Sequence, residues 1–207
     1  MKKLNYLMLM LLGVCYINSS FGQSTTDPDS VCAGATGKIY SVIPTPGSTY
    51  QWIVNGGTQA SGGTSDSITI NWSATAGTDT LKVVEYNAIG CPGDTIKLAV
   101  VRLPLPTVAL SGTDSICINS ATTSFNLTMT FTGVSPWDVS YTEDGTTRTV
   151  STSSNPYTFN SQVYTASGVK SYSINSVTSR LGCVGTNSGS AAVTVFPKPS
   201  TSAIRHY

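Results

Sequence analysis

The residues with the most definite chemistry in this 207-residue chain are cysteines that stand in a repeated frame. Asp29-Ser30-Val31-Cys32 opens a segment that closes with Gly90-Cys91-Pro92-Gly93. Asp114-Ser115-Ile116-Cys117 opens a second segment that closes with Gly182-Cys183-Val184-Gly185, and the two opening cysteines lie 85 residues apart. A period of this length predicts two tandem domains with one cysteine pair in each.

The cysteine count favours disulfide bonds. Four cysteines remain if Cys15 leaves with a signal peptide, and an even number in an exported chain argues against thiol catalysis or metal binding. Of the three possible pairings, the repeat favours Cys32–Cys91 and Cys117–Cys183. Each bond would close a loop of roughly 60 residues and contribute about 4 kcal/mol in the chain-entropy model.

The N-terminal residues have the pattern of a secretory signal peptide. Met1-Lys2-Lys3 supplies a basic start, an apolar stretch follows, and small residues in Ser20-Phe21-Gly22 precede a cut at Gln23. The alternative is a lipoprotein cut before Cys15, which the bulky Val14 disfavours. We therefore assign residues 1–22 to the signal peptide. No later stretch reaches about 18 apolar residues, so we expect a periplasmic, outer-membrane-associated or surface location without a membrane span.

The ionisable side chains offer little for catalysis. The single histidine, His206, lies in the C-terminal tail, so no imidazole is placed to activate a serine or cysteine nucleophile. Asp138, Glu143 and Asp144 could supply a carboxylate pair, but neighbouring acids around a glycine turn are typical of a solvated hairpin tip. We expect no enzyme activity and no catalytic residues.

Two pairs of neighbouring acidic residues are candidate calcium ligands. Asp27 with Asp29, or Glu143 with Asp144, could contribute to a site, but neither pair alternates oxygen ligands as a calcium loop does. We therefore expect no metal and no cofactor.

Three tryptophans allow two interpretations. An exposed row of Trp52, Trp72 and Trp137 would suit carbohydrate binding, because aromatic faces pack on sugar rings. Trp52 and Trp72 lie in alternating strand patterns, which favours core packing.

The charge is close to neutral. The chain has 11 basic and 10 acidic residues, and loss of Lys2 and Lys3 leaves nine basic residues. So balanced a chain offers no basic stripe for nucleic acid or anionic lipid.

The pattern of apolar residues predicts an all-β fold. Apolar positions alternate, serine and threonine fill the polar positions, and glycine and proline mark the turns. Many short strands without helices indicate two tandem immunoglobulin-like β-sandwiches. The predicted strands are Lys38–Ile43, Thr49–Val54, Ser67–Trp72, Thr80–Tyr86 and Thr95–Arg102 in the first unit, and Ser124–Phe131, Trp137–Thr142, Thr146–Ser151, Tyr157–Asn160, Val169–Thr178 and Ala191–Phe196 in the second.

The predicted domain boundaries follow from the repeated frame. The first sandwich takes residues 23–103 and the second takes residues 107–197. The proline-rich linker at 104–106 is short and stiff, which predicts sandwiches placed end to end as a semi-rigid rod.

A family resemblance enters with the first unit. The run Tyr50-Gln51-Trp52-Ile53-Val54-Asn55-Gly56-Gly57, followed by Ser61-Gly62-Gly63 and later by Glu85-Tyr86-Asn87 and Gly90-Cys91, resembles the PKD-like, immunoglobulin-like domains of Bacteroidota surface and secreted proteins. The second unit, with Pro136-Trp137-Asp138-Val139-Ser140-Tyr141, is similar to a companion domain that often neighbours the PKD-like domain in the same chain. Proteins of this kind include gliding-motility and type IX secretion-associated adhesins.

The resemblance also implies candidate modification sites. In that phylum O-glycans are attached at Asp-Ser/Thr before an apolar residue, and five of the eight aspartates stand in such tripeptides. The alternative is that Asp-Ser/Thr caps a turn before a strand begins. The candidate acceptors are Ser30, Ser67, Thr80, Thr95 and Ser115.

The function predicted from the sequence is a non-catalytic extracytoplasmic binding or structural module of a Bacteroidota cell envelope. The alternatives are an accessory subunit of a type IX secretion or gliding complex, and a carbohydrate-binding module. The expected partners are proteins at the outer membrane or cell surface, with a glycan as the alternative. Residues 198–207 are expected to be a flexible tail, in which Ile204, Arg205, His206 and Tyr207 could dock on a partner's open sheet edge.

Overall fold

The computed structural model describes residues 27–120 and 126–206, and within them it confirms an all-β fold. The strands of the first sandwich are β1 (Asp29–Cys32), β2 (Lys38–Ser41), β3 (Thr49–Val54), β4 (Gly57–Ser61), β5 (Ser67–Trp72), β6 (Gly77–Tyr86) and β7 (Pro92–Leu103). Those of the second are β8 (Thr107–Ser111), β9 (Thr113–Cys117), β10 (Thr128–Thr132), β11 (Trp137–Glu143), β12 (Thr146–Thr152), β13 (Tyr157–Thr158), β14 (Gly168–Ser179), β15 (Thr186–Ser188) and β16 (Ser190–Phe196). A 3-10 turn spans Arg180–Gly182.

Each sandwich consists of two sheets. The first packs the sheet β1-β7-β6-β3 against β2-β5-β4, and the second packs β12-β11-β14-β16-β9 against β13-β10-β8-β15. Alternation along β5 places Ile68, Ile70 and Trp72 in the first core, against Leu81 and Val100 of the facing sheet. The second core is larger and draws on both of its sheets. The two clusters of buried apolar residues are separate, as tandem sandwiches require.

The two cysteine-bearing opening segments form the same structure. β1 runs parallel to β7, the last strand of its sandwich, with Cys32 opposite Leu103. β9 runs parallel to β16, with Cys117 opposite Phe196. In both segments the aspartate Oδ1 accepts the N–H of the next serine, at 2.8 Å for Asp29 and 2.7 Å for Asp114. The repeat read from the sequence is therefore a structural repeat of edge strands.

The predicted disulfide pairing is wrong, and so is the expectation of one bond per sandwich. The structure joins Cys32 to Cys183 across the two sandwiches and leaves Cys91 and Cys117 free and exposed. Cys91 precedes β7, whereas Cys32 lies opposite its last residue. A strand of that length separates them by about 36 Å, and a disulfide needs Cα atoms within about 7 Å. Cys117 and Cys183 likewise lie at opposite ends of the second sandwich.

The strand predictions were confirmed where alternation was regular. β3 and β5 begin and end at the predicted residues. The strand predicted at Ser124–Phe131 is β10, which begins at Thr128, and its residues 124 and 125 lie outside the described part of the chain. Five short strands were missed: β1, β4, β8, β9 and β15.

Candidate functional site

The linkage between the sandwiches combines a disulfide with a short proline segment. The Cα atoms of Cys32 and Cys183 lie 5.5 Å apart, and Cys183 is only 1% exposed. On the linker side, the carbonyl of the buried Pro106 accepts the N–H of Thr186 at 3.1 Å. A Cβ on Gly185 would lie 1.8 Å from that carbonyl oxygen, so only glycine fits there. The bond adds a second covalent connection beside the linker and restricts rotation between the two sandwiches.

The first sandwich has an apolar groove along one open side, which we call the β2 groove. Its volume is about 880 Å³, and β2, the residues that follow it, and parts of β6 and β7 line it. Three isoleucines expose most of their side chains there: Ile39 (72%), Ile43 (78%) and Ile96 (59%). The half-buried Trp52 also lines the groove, and its indole N–H donates to the Ser65 carbonyl at 2.9 Å. Clustered exposed isoleucines are typical of a surface that contacts another chain.

Comparison with the second sandwich shows what the β2 groove lacks. β2 and β10 are equivalent. Each follows the opening edge strand, and each pairs antiparallel with the strand, β5 or β13, that comes just before a long strand of its sandwich, β6 or β14. On its other side β10 pairs with β8, which buries Val108 and Leu110 in the second core. Among the described residues β2 pairs only with β5. Its free edge is thus an unpaired row of backbone groups that an extended segment can complete.

Tyr40 fixes this open strand to the opposite sheet. Its hydroxyl donates to Asp29 Oδ2 at 2.6 Å, and its ring meets Trp72 edge-on with centroids 6.0 Å apart. Burial and the neighbouring Asp29 carboxylate raise the pKa of Tyr40 far above its usual value, so the hydroxyl stays protonated and continues to donate. The outer strand is held in place although its edge is open.

The main buried charge lies in the second sandwich, and here the sequence expectation for Glu143 was wrong. Glu143 is 3% exposed and is not part of a solvated hairpin tip. Its Oε1 accepts hydrogen bonds from the hydroxyls of Tyr164 (3.1 Å) and Tyr172 (2.9 Å) and from the Gln162 N–H (2.9 Å). Its Oε2 accepts from Arg148 Nε at 3.2 Å. A buried carboxylate is stable in a core when it is satisfied in this way.

The two-residue period of β11 predicts that the Glu143 side chain is buried. Trp137, Val139, Tyr141 and Glu143 stand at alternate positions of β11, and all four are buried. Asp144 is one residue further and forms an ion pair with Lys170 at 2.9 Å. The two acids therefore point to different environments and do not converge as a catalytic or calcium pair.

Burial also raises the pKa values of the tyrosines around Glu143. Desolvation raises the pKa of Tyr164 to about 12, and the nearby Glu143 carboxylate adds to the effect. Desolvation raises the pKa of Tyr172 still further, and the hydrogen bonds of its hydroxyl to Glu143, which accepts, and with the Tyr164 hydroxyl add to the effect. The pKa of Tyr141 is also raised, because the residue is buried and lies near the Glu143 carboxylate. These neutral hydroxyls solvate the carboxylate, which makes the cluster a structural element.

The predicted glycan acceptors lie in different environments, and their modification stays a prediction. Ser30, Thr95 and Ser115 are exposed, whereas Ser67 and Thr80 are partly buried within paired strands. In the tripeptide of Thr80, the aspartate is already used, because Asp79 Oδ2 accepts from Arg102 Nε at 2.8 Å.

The three tryptophans do not form the exposed platform that carbohydrate binding would need. Trp72 and Trp137 are buried and Trp52 is half-buried, so the three tryptophans make no exposed row.

Within residues 27–120 and 126–206, no group of three or more His, Cys, Asp or Glu side chains is arranged to hold a metal ion. That same part of the chain contains no helix long and apolar enough to cross a membrane. The predicted signal peptide lies outside the described residues.

The C-terminal segment leaves the second sandwich after Phe196. Residues 197–206 are exposed and belong to no strand, and the side chain of Ile204 is fully exposed. Arg205 and His206 are exposed beside it, and Tyr207 lies outside the described residues. Docking by this tail stays a prediction.

Fold and linkage define a class: tandem immunoglobulin-like β-sandwiches joined by a disulfide. Residues 20–100 match the PKD-like domain family, which confirms the PKD-like part of the predicted resemblance for the first sandwich. No curated protein matches the chain.

Several solved structures resemble the chain at low identity. The fibronectin(III)-like modules of Clostridium thermocellum CbhA show 18% identity and a TM-score of 0.38, over 87% of this chain and 95% of that one. An I-band fragment of titin shows 10% identity and a TM-score of 0.41, over 84% and 63%. The D00-D0 domain of intimin shows 11% identity and a TM-score of 0.37, over 82% and 96%. At these TM-scores the likeness carries no inference about function.

Proposed function

We propose that the protein is a non-catalytic extracytoplasmic module that binds a protein partner at the β2 groove, within a Bacteroidota cell envelope. The open edge of β2, next to three exposed isoleucines, is the observation that carries the proposal. A disulfide between sandwiches needs an oxidising compartment to form and persist, which supports export. The match of residues 20–100 to the PKD-like family supports an adhesive, spacer or assembly role.

The expected ligand is an extended segment with apolar residues at alternate positions. The second sandwich supplies the argument, because β8 covers the edge of β10 and directs Val108 and Leu110 into the core. Main-chain hydrogen bonds would supply affinity and the alternating apolar side chains would supply specificity. A role as an accessory subunit of a type IX secretion or gliding complex is the finer form of this proposal.

A synthetic peptide of residues 104–112, which contains β8, tests the groove directly. We expect it to bind the purified protein and to change the fluorescence of Trp52, which lines the groove. Ile39→Lys should abolish binding, because it puts a charge in place of an apolar side chain that lines the groove. Val169→Lys, at a similarly exposed β-branched residue of the second sandwich, should bind normally.

Two results would contradict the proposal. Equal binding of a peptide with Asp at both apolar positions, 108 and 110, would show that the contact is not a strand with alternating specificity. Binding that occurs only after removal of residues 23–26 would show that the chain's own N-terminal segment, and not a partner, covers β2.

A further inference from the structure

The free cysteines occupy the positions that are bonded at the linkage between the sandwiches. We infer that successive copies of this chain join head to tail through a disulfide between Cys117 of one copy and Cys91 of the next. The inference is independent of the β2 groove. It rests on the structural equivalence of the four cysteines, on the ends of the sandwiches where they lie, and on one glycine.

Cys117 is equivalent to Cys32 in its backbone contacts. Each is the last residue of a parallel edge strand. The residue after each cysteine donates its N–H to the last residue of the paired strand, at 2.8 Å from Ala33 to Leu103 and at 2.9 Å from Ile118 to Phe196. Each cysteine carbonyl then accepts an N–H from three residues further on, at 3.0 Å and 3.1 Å.

Cys91 is equivalent to Cys183 by the same test. Each cysteine carbonyl accepts the N–H of the residue four positions earlier, at 3.1 Å from Asn87 and at 2.9 Å from Ser179. Each follows a glycine with positive φ, 83° at Gly90 and 72° at Gly182. The bridges Tyr86↔Pro92 and Thr178↔Val184 close the two turns in the same register.

The positions of the cysteines exclude a bond between the two free ones within one chain. Cys32 lies at the end of the first sandwich where the linker leaves, and Cys183 lies at the end of the second where the linker arrives. Cys91 and Cys117 therefore lie at the two outer ends, separated by the length of both sandwiches. Each chain thus has a free cysteine of the Cys32 type at one outer end and a free cysteine of the Cys183 type at the other. A second copy can supply the matching cysteine at either end. A head-to-tail contact of this kind repeats without closing.

Gly93 provides an independent indication of a neighbour. It is equivalent to Gly185, which must be glycine because the Pro106 carbonyl lies against it. At Gly93 a Cβ would meet only the Glu85 carbonyl, at 3.6 Å, and the backbone is outside the positive-φ region. Among residues 27–120 and 126–206, nothing requires glycine at this position. In the joined copies, Pro199 of the preceding copy takes the place of Pro106, because Phe196-Pro197-Lys198-Pro199 matches Leu103-Pro104-Leu105-Pro106.

The bond requires a disulfide oxidant, for which oxidised glutathione serves. The Cys117 thiolate attacks one sulfur of oxidised glutathione, forms a mixed disulfide and releases one glutathione thiolate. The Cys91 thiolate of the next copy then attacks the Cys117 sulfur and releases the second glutathione thiolate. Two protein thiols are oxidised, one glutathione disulfide is reduced, and both protons go to solvent.

The test uses purified protein beginning at Gln23, with the Cys32–Cys183 bond intact, in a glutathione redox buffer. We expect a ladder of dimers and longer species on non-reducing gels, and a Cys117–Cys91 peptide by mass spectrometry. Cys91→Ser and Cys117→Ser should each stay largely monomeric, while their mixture should give at least tenfold more dimer. The inference would be overturned if either variant alone gave as much dimer as the mixture, or if the monomer contained a Cys91–Cys117 bond.

Gly93→Val separates docking from random thiol oxidation. It should slow the ladder at least tenfold without changing the thermal unfolding of the monomer or the rate at which Cys91 forms a mixed disulfide with glutathione. Thr95→Val, at an exposed position of the same strand, is the matched control and should leave the ladder unchanged. An unchanged ladder in Gly93→Val would show that the linker does not seat there and would overturn the head-to-tail geometry.

Discussion

The two sandwiches share one frame but differ in how completely it is filled. The second covers its sheet edge with β8, builds a large core and buries Glu143 among tyrosine hydroxyls. The first has a smaller core, and among the described residues nothing pairs with the outer side of β2. The comparison indicates a division of labour in which the second sandwich supplies stability and the first presents a surface.

The largest expected effect comes from removing the buried charge of the second sandwich. Glu143→Ala leaves two tyrosine hydroxyls and the Gln162 N–H without their acceptor, so we expect a loss of about 3–5 kcal/mol in the free energy of unfolding of that sandwich. Urea unfolding checks this. Asp144→Asn, which removes the charge of the partly exposed neighbour and keeps a residue that tolerates its positive φ, should cost less than about 1 kcal/mol. Equal losses would remove the contrast.

Removal of the linking disulfide should have the next largest effect. In the double variant Cys32→Ser, Cys183→Ser we expect the free energy of unfolding to fall by about 2–4 kcal/mol. We also expect the single thermal transition to split into two, since each sandwich has its own core. Differential scanning calorimetry resolves the two transitions. A single cooperative transition in the variant would mean that noncovalent contacts couple the sandwiches.

Alkaline pH should affect the second sandwich before the first. In the second sandwich the pKa values of three tyrosines are raised: Tyr141, Tyr164 and Tyr172. In the first sandwich one tyrosine, Tyr40, has a clearly raised pKa. A raised folded-state pKa contributes stability that is complete below pH 10 and declines as pH rises toward 12, because the unfolded tyrosines ionise first. Thermal melts between pH 9 and 12, followed by tyrosine absorbance at high pH, measure this. Simultaneous loss of both sandwiches would contradict it.

The smallest effect is expected from the tail. Deletion of Ser200–Tyr207 should change the melting temperature by no more than a degree or two, because residues 200–206 are exposed and form no strand. If the tail docks on a partner, retention in the membrane fraction of the native host should fall. Unchanged retention would leave the tail without that role.

The sequence predicted the elements whose side chains alternate strongly. Tyr50, Trp52 and Val54 define β3 to the residue, and Ile68, Ile70 and Trp72 do the same for β5. β1 and β9 were missed because each buries one side chain, Val31 or Ile116, and is stabilised by pairing with a strand about 70–80 residues away. Local pattern carries no signal for such pairing.

The disulfide shows the limit of the repeat as a guide. A repeated frame establishes which cysteines are equivalent, but it does not establish at which end of the sandwich each one lies. Cys32 lies at the linker end only because β1 pairs in parallel with β7, and that register is a tertiary property. The Glu143 cluster was also missed, although the period of β11 places this carboxylate on the buried face.

The Cys32–Cys183 bond also determines how the protein responds to tension. A pull applied between the first strand and the last is transmitted directly across the bond, so the 150 residues between the two cysteines bear no load. Those residues correspond to about 500 Å of extended chain, which remains folded until the bond is reduced. In oxidising surroundings the protein is therefore a nearly inextensible tether, and in reducing surroundings it becomes a long compliant one.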